Sequence, residues 1–427
     1  MLLGDALKKL GWKPFARFNL LYQLPFNTLA LTNDPVFVER IMVDRSGTFP
    51  KNMTVHLILK PLIGEGLFGL PGGDPVKERR RLFIRSLAQI DRGQVETVTR
   101  DITMEYIGKW LKTSRRLKCG EEFSRLAVDI VSECTMGRRF TEAQSKRFTQ
   151  LFTLYHHKAN PAAFLFAAGD TATQDRLVAE MGLAKIGKEM RDLIRTCFID
   201  DLFDTPQDQL ACFPRLLAEA GWLKREKVEA VIDEVAVMLL AGHETSASTL
   251  AWLSYELARQ PNIQESAARA MAGAGHAGAP FGDNQAGDIL HALTNEALRL
   301  YPPIAIFMRQ NNEPMEIASR TVAPDSFLIV SPRTLHRHKQ FWPEPDAFAP
   351  RRWLDQTDAP AKTSFMPYGI GPRACPGSRF ATTELTEITR LMLLHTKLGL
   401  TFSRKPQPLG KLTSRPHPEI ILSIEPR

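Results

Sequence analysis

The stretch Phe365-Met366-Pro367-Tyr368-Gly369-Ile370-Gly371-Pro372-Arg373-Ala374-Cys375-Pro376-Gly377 decides how the rest of this 427-residue chain is read. A single cysteine stands between glycines in a tight loop, and a helical stretch follows from Gly377 to Leu394. A cysteine just ahead of a helix N-terminus, two residues from an arginine, is expected to carry a thiolate stabilised by the dipole and the nearby charge. The glycines permit positive φ and close backbone approach. A thiolate ligand beneath a flat cofactor needs these features. The plainer alternative is a buried cysteine beside an ordinary turn.

Upstream of the loop the pattern is helical almost throughout from Val76 to Leu240, with breaks near Gly120, Gly169 and Pro206. The most regular helix is expected from Lys224 to Gln260, where Pro261 ends it. Val228, Ile232, Val235, Leu239, Leu250, Leu253 and Leu257 give it a 3.6-residue stripe. At about 1.5 Å per residue it spans roughly 50 Å, enough to cross the whole molecule. Within it lies Ala241-Gly242-His243-Glu244-Thr245-Ser246, where an acid beside a hydroxyl interrupts an otherwise apolar face. A threonine hydroxyl can compete for backbone carbonyls and open a helix locally.

A further helix, Gly287 to Leu300, carries Glu296 and Arg299 on one face and stops at Pro302-Pro303. Such a pair alone says little, because solvated helices carry many. Its position ahead of Phe348-Ala349-Pro350-Arg351-Arg352-Trp353 gives it weight. Leu29–Thr32 reads as a short strand, and Asp34-Pro35 opens a helix toward Val43. Residues 61–75 read as a flexible loop with a hydrophobic lining, and residues 267–287 as an Ala- and Gly-rich surface connection. Short strands are expected at Met315–Ile317, Phe327–Ser331, Leu400–Ser403 and Ile420–Ile424. There is no internal repeat. The expected fold class is mainly α with small β-sheets, in one domain over residues 1–427 with roughly the first 25 peripheral.

Composition narrows the function classes. Against 47 Asp and Glu stand 55 Lys and Arg, a formal charge of +8, with 44% hydrophobic and 24% charged residues. That is the mix of a folded protein, not a disordered one. The basic clusters Arg79–Arg81, Arg115–Arg116, Arg138–Arg139 and Arg351–Arg352 lack interleaved aromatics, so no nucleic-acid platform is expected. Cysteines at 119, 134, 197, 212 and 375 form no CxxC pair or regular framework, which predicts neither disulfides nor structural zinc and suggests a reducing, cytoplasmic setting. Asp5, Lys8 and Lys9 interrupt the apolar residues of MLLGDALKKLGWKPF, so neither a signal-peptide core nor a membrane span is expected there.

The cysteine loop resembles the haem-binding loop of cytochromes P450, Phe-x-x-Gly-x-Arg-x-Cys-x-Gly. Gly371, Arg373, Cys375 and Gly377 fall in register, and Tyr368 stands where the pattern has phenylalanine. The resemblance implies a cytochrome P450 fold holding haem b, with Cys375 as axial thiolate and metal ligand and Arg373 paired with a haem propionate. It implies Arg309, after Ile306-Phe307-Met308, and Arg80 as further propionate contacts. At the aromatic position four residues before Arg80 this chain has Val76. His336 is a further candidate haem contact, with a plain surface histidine as the alternative. Glu296, Arg299 and Arg352 would form a buried structural triad. Thr245 would be the hydroxyl that supplies a proton during oxygen activation, and Glu244 its relay to solvent. Two local details add to this: the Tyr368 hydroxyl needs a partner if buried, and Pro376 lacks an N–H, so one donor to the sulfur is absent and a more electron-rich thiolate is expected.

Thiolate ligation favours O–O cleavage. The resemblance therefore implies a monooxygenase that inserts one oxygen atom from O2 into a lipophilic small molecule. Leu62–Leu70 and Ile304–Phe307 are expected to line its pocket, or to be plain core. With no flavin or nucleotide motif in the chain, electrons are expected from a separate ferredoxin- or flavodoxin-type donor, docked on basic residues such as those near Arg79–Arg81. A peroxygenase using hydrogen peroxide and a non-catalytic haem-thiolate sensor are the alternatives, and neither requires the Glu244-Thr245 pair.

Overall fold

Helices dominate the computed structural model, which describes residues 16–23, 28–52, 54–70, 73–113, 115–161, 163, 171–273, 280–281, 284–354, 363–401 and 404–427. The central helix runs Val228–Arg259, 32 residues, after a 3₁₀ turn over Arg225–Lys227. At 1.5 Å per residue it is about 48 Å long. Pro261 does not merely stop it but supplies the first position of the next helix, Pro261–Met271, where its missing N–H costs nothing.

Helix Cys119–Met136 packs along the central helix, with Gly242 at a close contact. A Cβ there would lie 2.6 Å from Val131 Cγ2, so this glycine is set by helix–helix contact. The last helix, Ser378–His395, packs against Arg92–Lys112 and against Ala286–Leu300. One continuous apolar core extends from Ile58 to Ile424.

A four-stranded sheet takes the order Asn19–Gln23, Thr28–Thr32, Phe327–Val330, Phe307–Gln310. Its middle pair is parallel, joining Leu29 to Phe327 from opposite ends of the chain. Its Phe307–Gln310 edge carries Arg309, which also forms an isolated bridge with Lys51. Arg116–Lys118, Ile421–Pro426 and Thr396–Leu400 make a three-stranded sheet, and Gln407–Gly410 pairs with Ser414–His417 in a hairpin.

Two expectations are corrected. Residues 61–75 are not simply a loop: helix Thr54–Ile63 reaches into them, Leu67–Gly69 forms a 3₁₀ turn, and helix Asp74–Gln89 begins before they end. Ile58, Leu62 and Ile63 are buried on one helix face, and that burial outweighs the breaker Pro61. The strand expected at Leu400–Ser403 instead runs Thr396–Leu400, directly out of the last helix, because it pairs with Ile421–Pro426 over its full length. Residues 1–15, Gly169, most of the 267–287 connection's middle (274–279) and residues 402–403 lie outside the described residues. No helix among the described residues is long and apolar enough to cross a membrane.

Candidate active site

The cysteine loop is closed by its own backbone. Cys375 N donates to Tyr368 O at 2.8 Å, and Ala374 N to Gly371 O at 3.0 Å. Gly371 has φ 76°, and a Cβ there would overlap Met42 O, so the loop can sit on the end of helix Pro35–Met42 only with glycine. The Tyr368 hydroxyl finds its partner in Thr382 Oγ1 at 2.9 Å. Cys375 keeps accessible surface although protein surrounds it closely.

Burial pushes the Cys375 thiol up; the Gly377 N–H and Arg80 pull it down without prevailing. The expected charge partner Arg373 is therefore corrected, whereas the Gly377 N–H at the N-cap of the last helix supplies backbone stabilisation of the expected kind. The charge acting on the sulfur is Arg80, from a helix almost 300 residues earlier, whose Nη2 also donates to Ala374 O. The donor absent at Pro376 is offset one residue on, at Gly377.

Beside this loop four cations converge. Lys51 bridges to Arg309, and its Nζ donates to Phe68 O. Burial, with Arg373 and Arg309 adding repulsion, lowers Lys51 to about 8. Burial and Arg373 lower buried Arg309 to about 10. Arg373 is lowered by burial and by Arg80, while Asp44 opposes. Asp44 acts on both Arg309 and Arg373 against this positive excess. On the Lys51 side, His56 Nδ1 is buried without a hydrogen-bond partner among the described residues. Like charges held partly out of water that repel one another form a cradle for a dianionic group. An accessible thiol flanked by that cradle fits thiolate-ligated haem with its two propionates. No motif marks Lys51; the bridge to Arg309 and the bond to Phe68 O bring it here.

His336 is put to another use than the expected haem contact. Its Nε2 accepts the Met366 N–H at 2.9 Å, its carbonyl accepts from Arg299 Nη1 at 3.0 Å, and burial lowers it to about 3. It staples the start of the cysteine loop to the helical core.

On the central helix, Ala241, Gly242 and Thr245 keep partial exposure between buried flanks, so one turn of this face borders open space. Thr245 Oγ1 donates to Ala241 O at 3.0 Å, and Thr249 Oγ1 to Thr245 O at 2.9 Å. Ser246 Oγ donates to Glu384 Oε2 at 2.5 Å, tying this turn to the last helix about two turns beyond the cysteine loop. Glu244 is buried in a different network: its oxygens accept from Thr413 Oγ1 at 2.6 Å and from Arg415 Nε at 2.5 Å and Nη2. Burial alone would raise Glu244, but Arg415 brings it to about 2. It stands at neutral pH as an ion-paired carboxylate. Sequence reasoning missed Arg415 altogether.

The structural triad assembles. Arg299 Nε and Nη2 each meet a Glu296 oxygen at 2.8 Å, with both side chains wholly buried. Arg352 Nε adds a bond at 3.2 Å, and Trp353 Nε1, not foreseen, one at 2.9 Å. Near the other end of the central helix, Asp233 Oδ2 accepts the Glu65 N–H at 2.9 Å and Oδ1 pairs with Arg191 at 2.5 Å. Its neighbour Glu234 accepts the Leu67 N–H at 3.3 Å and pairs with Arg79. Thus Arg79 and Arg80 of the basic triplet turn inward, and Arg81 is the exposed one.

Residues 19–424 match the model of the cytochrome P450 family. Rat cytochrome P450 4F5 (Rattus norvegicus) is 27% identical over 92% of this chain and 78% of its own length. Pentalenene oxygenase of Streptomyces avermitilis is also 27% identical, over 85% of this chain and 78% of its own. Among solved structures, a 6-coordinated cytochrome P450 from Thermus thermophilus superposes with a TM-score of 0.69 at 22% identity, covering 93% of this chain and 92% of that one.

Proposed function

The chain belongs to the cytochrome P450 family, and on that footing we propose that it inserts one oxygen atom from O2 into a lipophilic small molecule, with haem b as cofactor and electrons from a separate ferredoxin- or flavodoxin-type protein. The observation that carries this reading is the accessible Cys375 thiol set beside the buried Arg309 and the partly buried Lys51, Arg80 and Arg373. When bound, a thiolate-ligated haem supplies the electron density that favours O–O cleavage.

The chain's own residues do the rest. Cys375 Sγ would hold the metal, with the Gly377 N–H orienting the sulfur and Gly371 letting the loop close. Arg309, Arg373, Arg80 and Lys51 would hold the propionates. Thr245 Oγ1 would pass a proton by releasing its bond to Ala241 O. Ile304, 37% exposed, and the neighbouring half-buried Ile306 and Phe307 support an apolar binding wall that excludes water. Exposed Lys77, Arg81 and Arg85 recur every four residues on helix Asp74–Gln89 and suit an acidic electron donor. Five cysteines, none bonded to another, fit a reducing cytoplasmic setting.

The test is the carbon-monoxide difference spectrum of the reduced, purified protein. A thiolate-type Soret band is expected, and Cys375→Ser should abolish it while leaving the far-ultraviolet circular dichroism intact. A colourless protein, or a band indifferent to Cys375→Ser, would overturn the reading. Spectral shifts with a panel of lipophiles then define the substrate class.

A further inference from the structure

Glu244 is 2% exposed in the middle of the central helix, one residue before Thr245, and its hydrogen-bonding partners come from outside that helix. Arg415, in hairpin strand Ser414–His417, grips both carboxylate oxygens, and Thr413 beside it adds the hydroxyl bond. Arg415 is itself seated: Nη1 donates to Thr153 Oγ1 at 3.1 Å, and the guanidinium lies 5.4 Å from the Phe152 ring centroid. Both contacts come from helix Glu142–Lys158. The other titratable groups facing Glu244 are His156, on that same helix, and His243, its neighbour on the central helix. Burial holds both neutral, with Arg415 adding to it. Among the described residues, Arg415 is thus the one permanent cation that Glu244 meets.

The hairpin that delivers Arg415 is fastened next to the apolar wall. Ser414 N donates to Pro303 O at 2.8 Å, immediately before Ile304–Phe307, and Ser248 Oγ donates to Ser414 O at 2.6 Å. His156 Nε2 meets Thr413 O at 3.1 Å. A molecule pressing on Ile304–Phe307 therefore bears on the segment that seats the guanidinium. A buried carboxylate that loses its only cation takes up a proton, because desolvation then dominates.

We propose that Arg415 is a positioning residue that keeps Glu244 ionised while the hairpin is seated, so that movement of the hairpin lets Glu244 take up a proton beside Thr245. No bond is made or broken except that of the proton, which comes from solvent and goes to a Glu244 oxygen. The inference deepens the proposed roles of Thr245 and Glu244 and rests on them.

The experiment titrates the Glu244 carboxyl by infrared difference spectroscopy in the purified full chain, with Glu244→Gln identifying the band. In the unmodified protein that band should stay ionised down to the acid limit of folding. In Arg415→Gln its midpoint should rise by at least about 2 pH units, and Arg415→Lys should restore most of the low value. Thr153→Val, which frees Nη1, should give a smaller rise and keeps the test available if Arg415→Gln does not fold. A lipophile that shifts the haem spectrum should also raise the midpoint in the unmodified protein. An unchanged midpoint in Arg415→Gln and Thr153→Val would overturn the positioning role, and an unchanged midpoint with lipophile would overturn the link to the hairpin. The carbon-monoxide spectrum of each variant separates these outcomes: a lost thiolate band in the unmodified protein condemns the monooxygenase reading, whereas a retained band with an unmoved midpoint condemns only the role of Arg415.

Discussion

Glu384 is wholly buried on the last helix, with one oxygen bonded to Ser246 and the other without a partner among the described residues. Burial, only partly opposed by the Ser246 hydroxyl, pushes it up to about 8. An acid whose folded value lies above its unfolded one contributes stability that is present below about 4.5 and is lost as pH rises through about 8. Urea unfolding should therefore show stability falling by roughly 2–4 kcal/mol between about pH 5 and pH 9. Glu384→Gln, which keeps the shape without the titration, should remove most of that fall. An unchanged slope would show that Glu384 is not the group responsible. Glu244 has the opposite sign: its low value adds stability above about 4.5 that is lost only as pH falls toward about 2.

At the scale of elements, two polar junctions hold the parts together. Glu296 joins helix Ala286–Leu300 to the 3₁₀ turn Pro350–Trp353 and accepts from Arg299, Arg352, Trp353 and the Ala349 N–H. Removing its charge strands the wholly buried Arg299 guanidinium and weakens the hold on partly buried Arg352, so Glu296→Gln should cost about 3–5 kcal/mol by chemical denaturation. A loss under about 1 kcal/mol would mean the cluster is merely decorative. The second junction, Asp233 and Glu234 with Arg191 and Arg79, pins the 64–69 segment to the central helix. Burial, opposed by Arg79, raises Glu234 to about 7. Glu234→Ala should free the Leu67 amide and speed its hydrogen exchange about tenfold, with amides of the central helix core unaffected. Equal exchange rates at Leu67 would rule out the pin.

For the whole molecule the relevant quantity is charge. A net +8 with Lys77, Arg81 and Arg85 on one exposed helix face should steer an acidic donor. The Debye length falls from about 30 Å at 0.01 M to about 8 Å at 0.15 M salt, so the reduction rate should drop at least about tenfold over that range. Arg81→Glu should slow reduction at low salt and flatten the dependence. A rate independent of salt would exclude electrostatic docking on this face.

The sequence by itself determined whatever is written in neighbouring residues. The glycine spacing of the cysteine loop, the 3.6-residue stripe of the central helix and the Glu296–Arg299 pair all act within a turn or two, and each stands in the structure where the residues place it. The tertiary structure alone decided the rest. Arg415 reaches Glu244 across 171 residues, Lys51 meets Arg309 across a sheet edge, and Arg80 acts on the Cys375 sulfur from a distant helix. His336 became a backbone staple, and residues 61–75 became partly helical, by the same route. Local sequence encodes backbone preference. Desolvation and charge pairing belong to whatever packing brings alongside, so the ionised state of Glu244 and the neutral one of Glu384, both glutamates, exist only in the assembled fold.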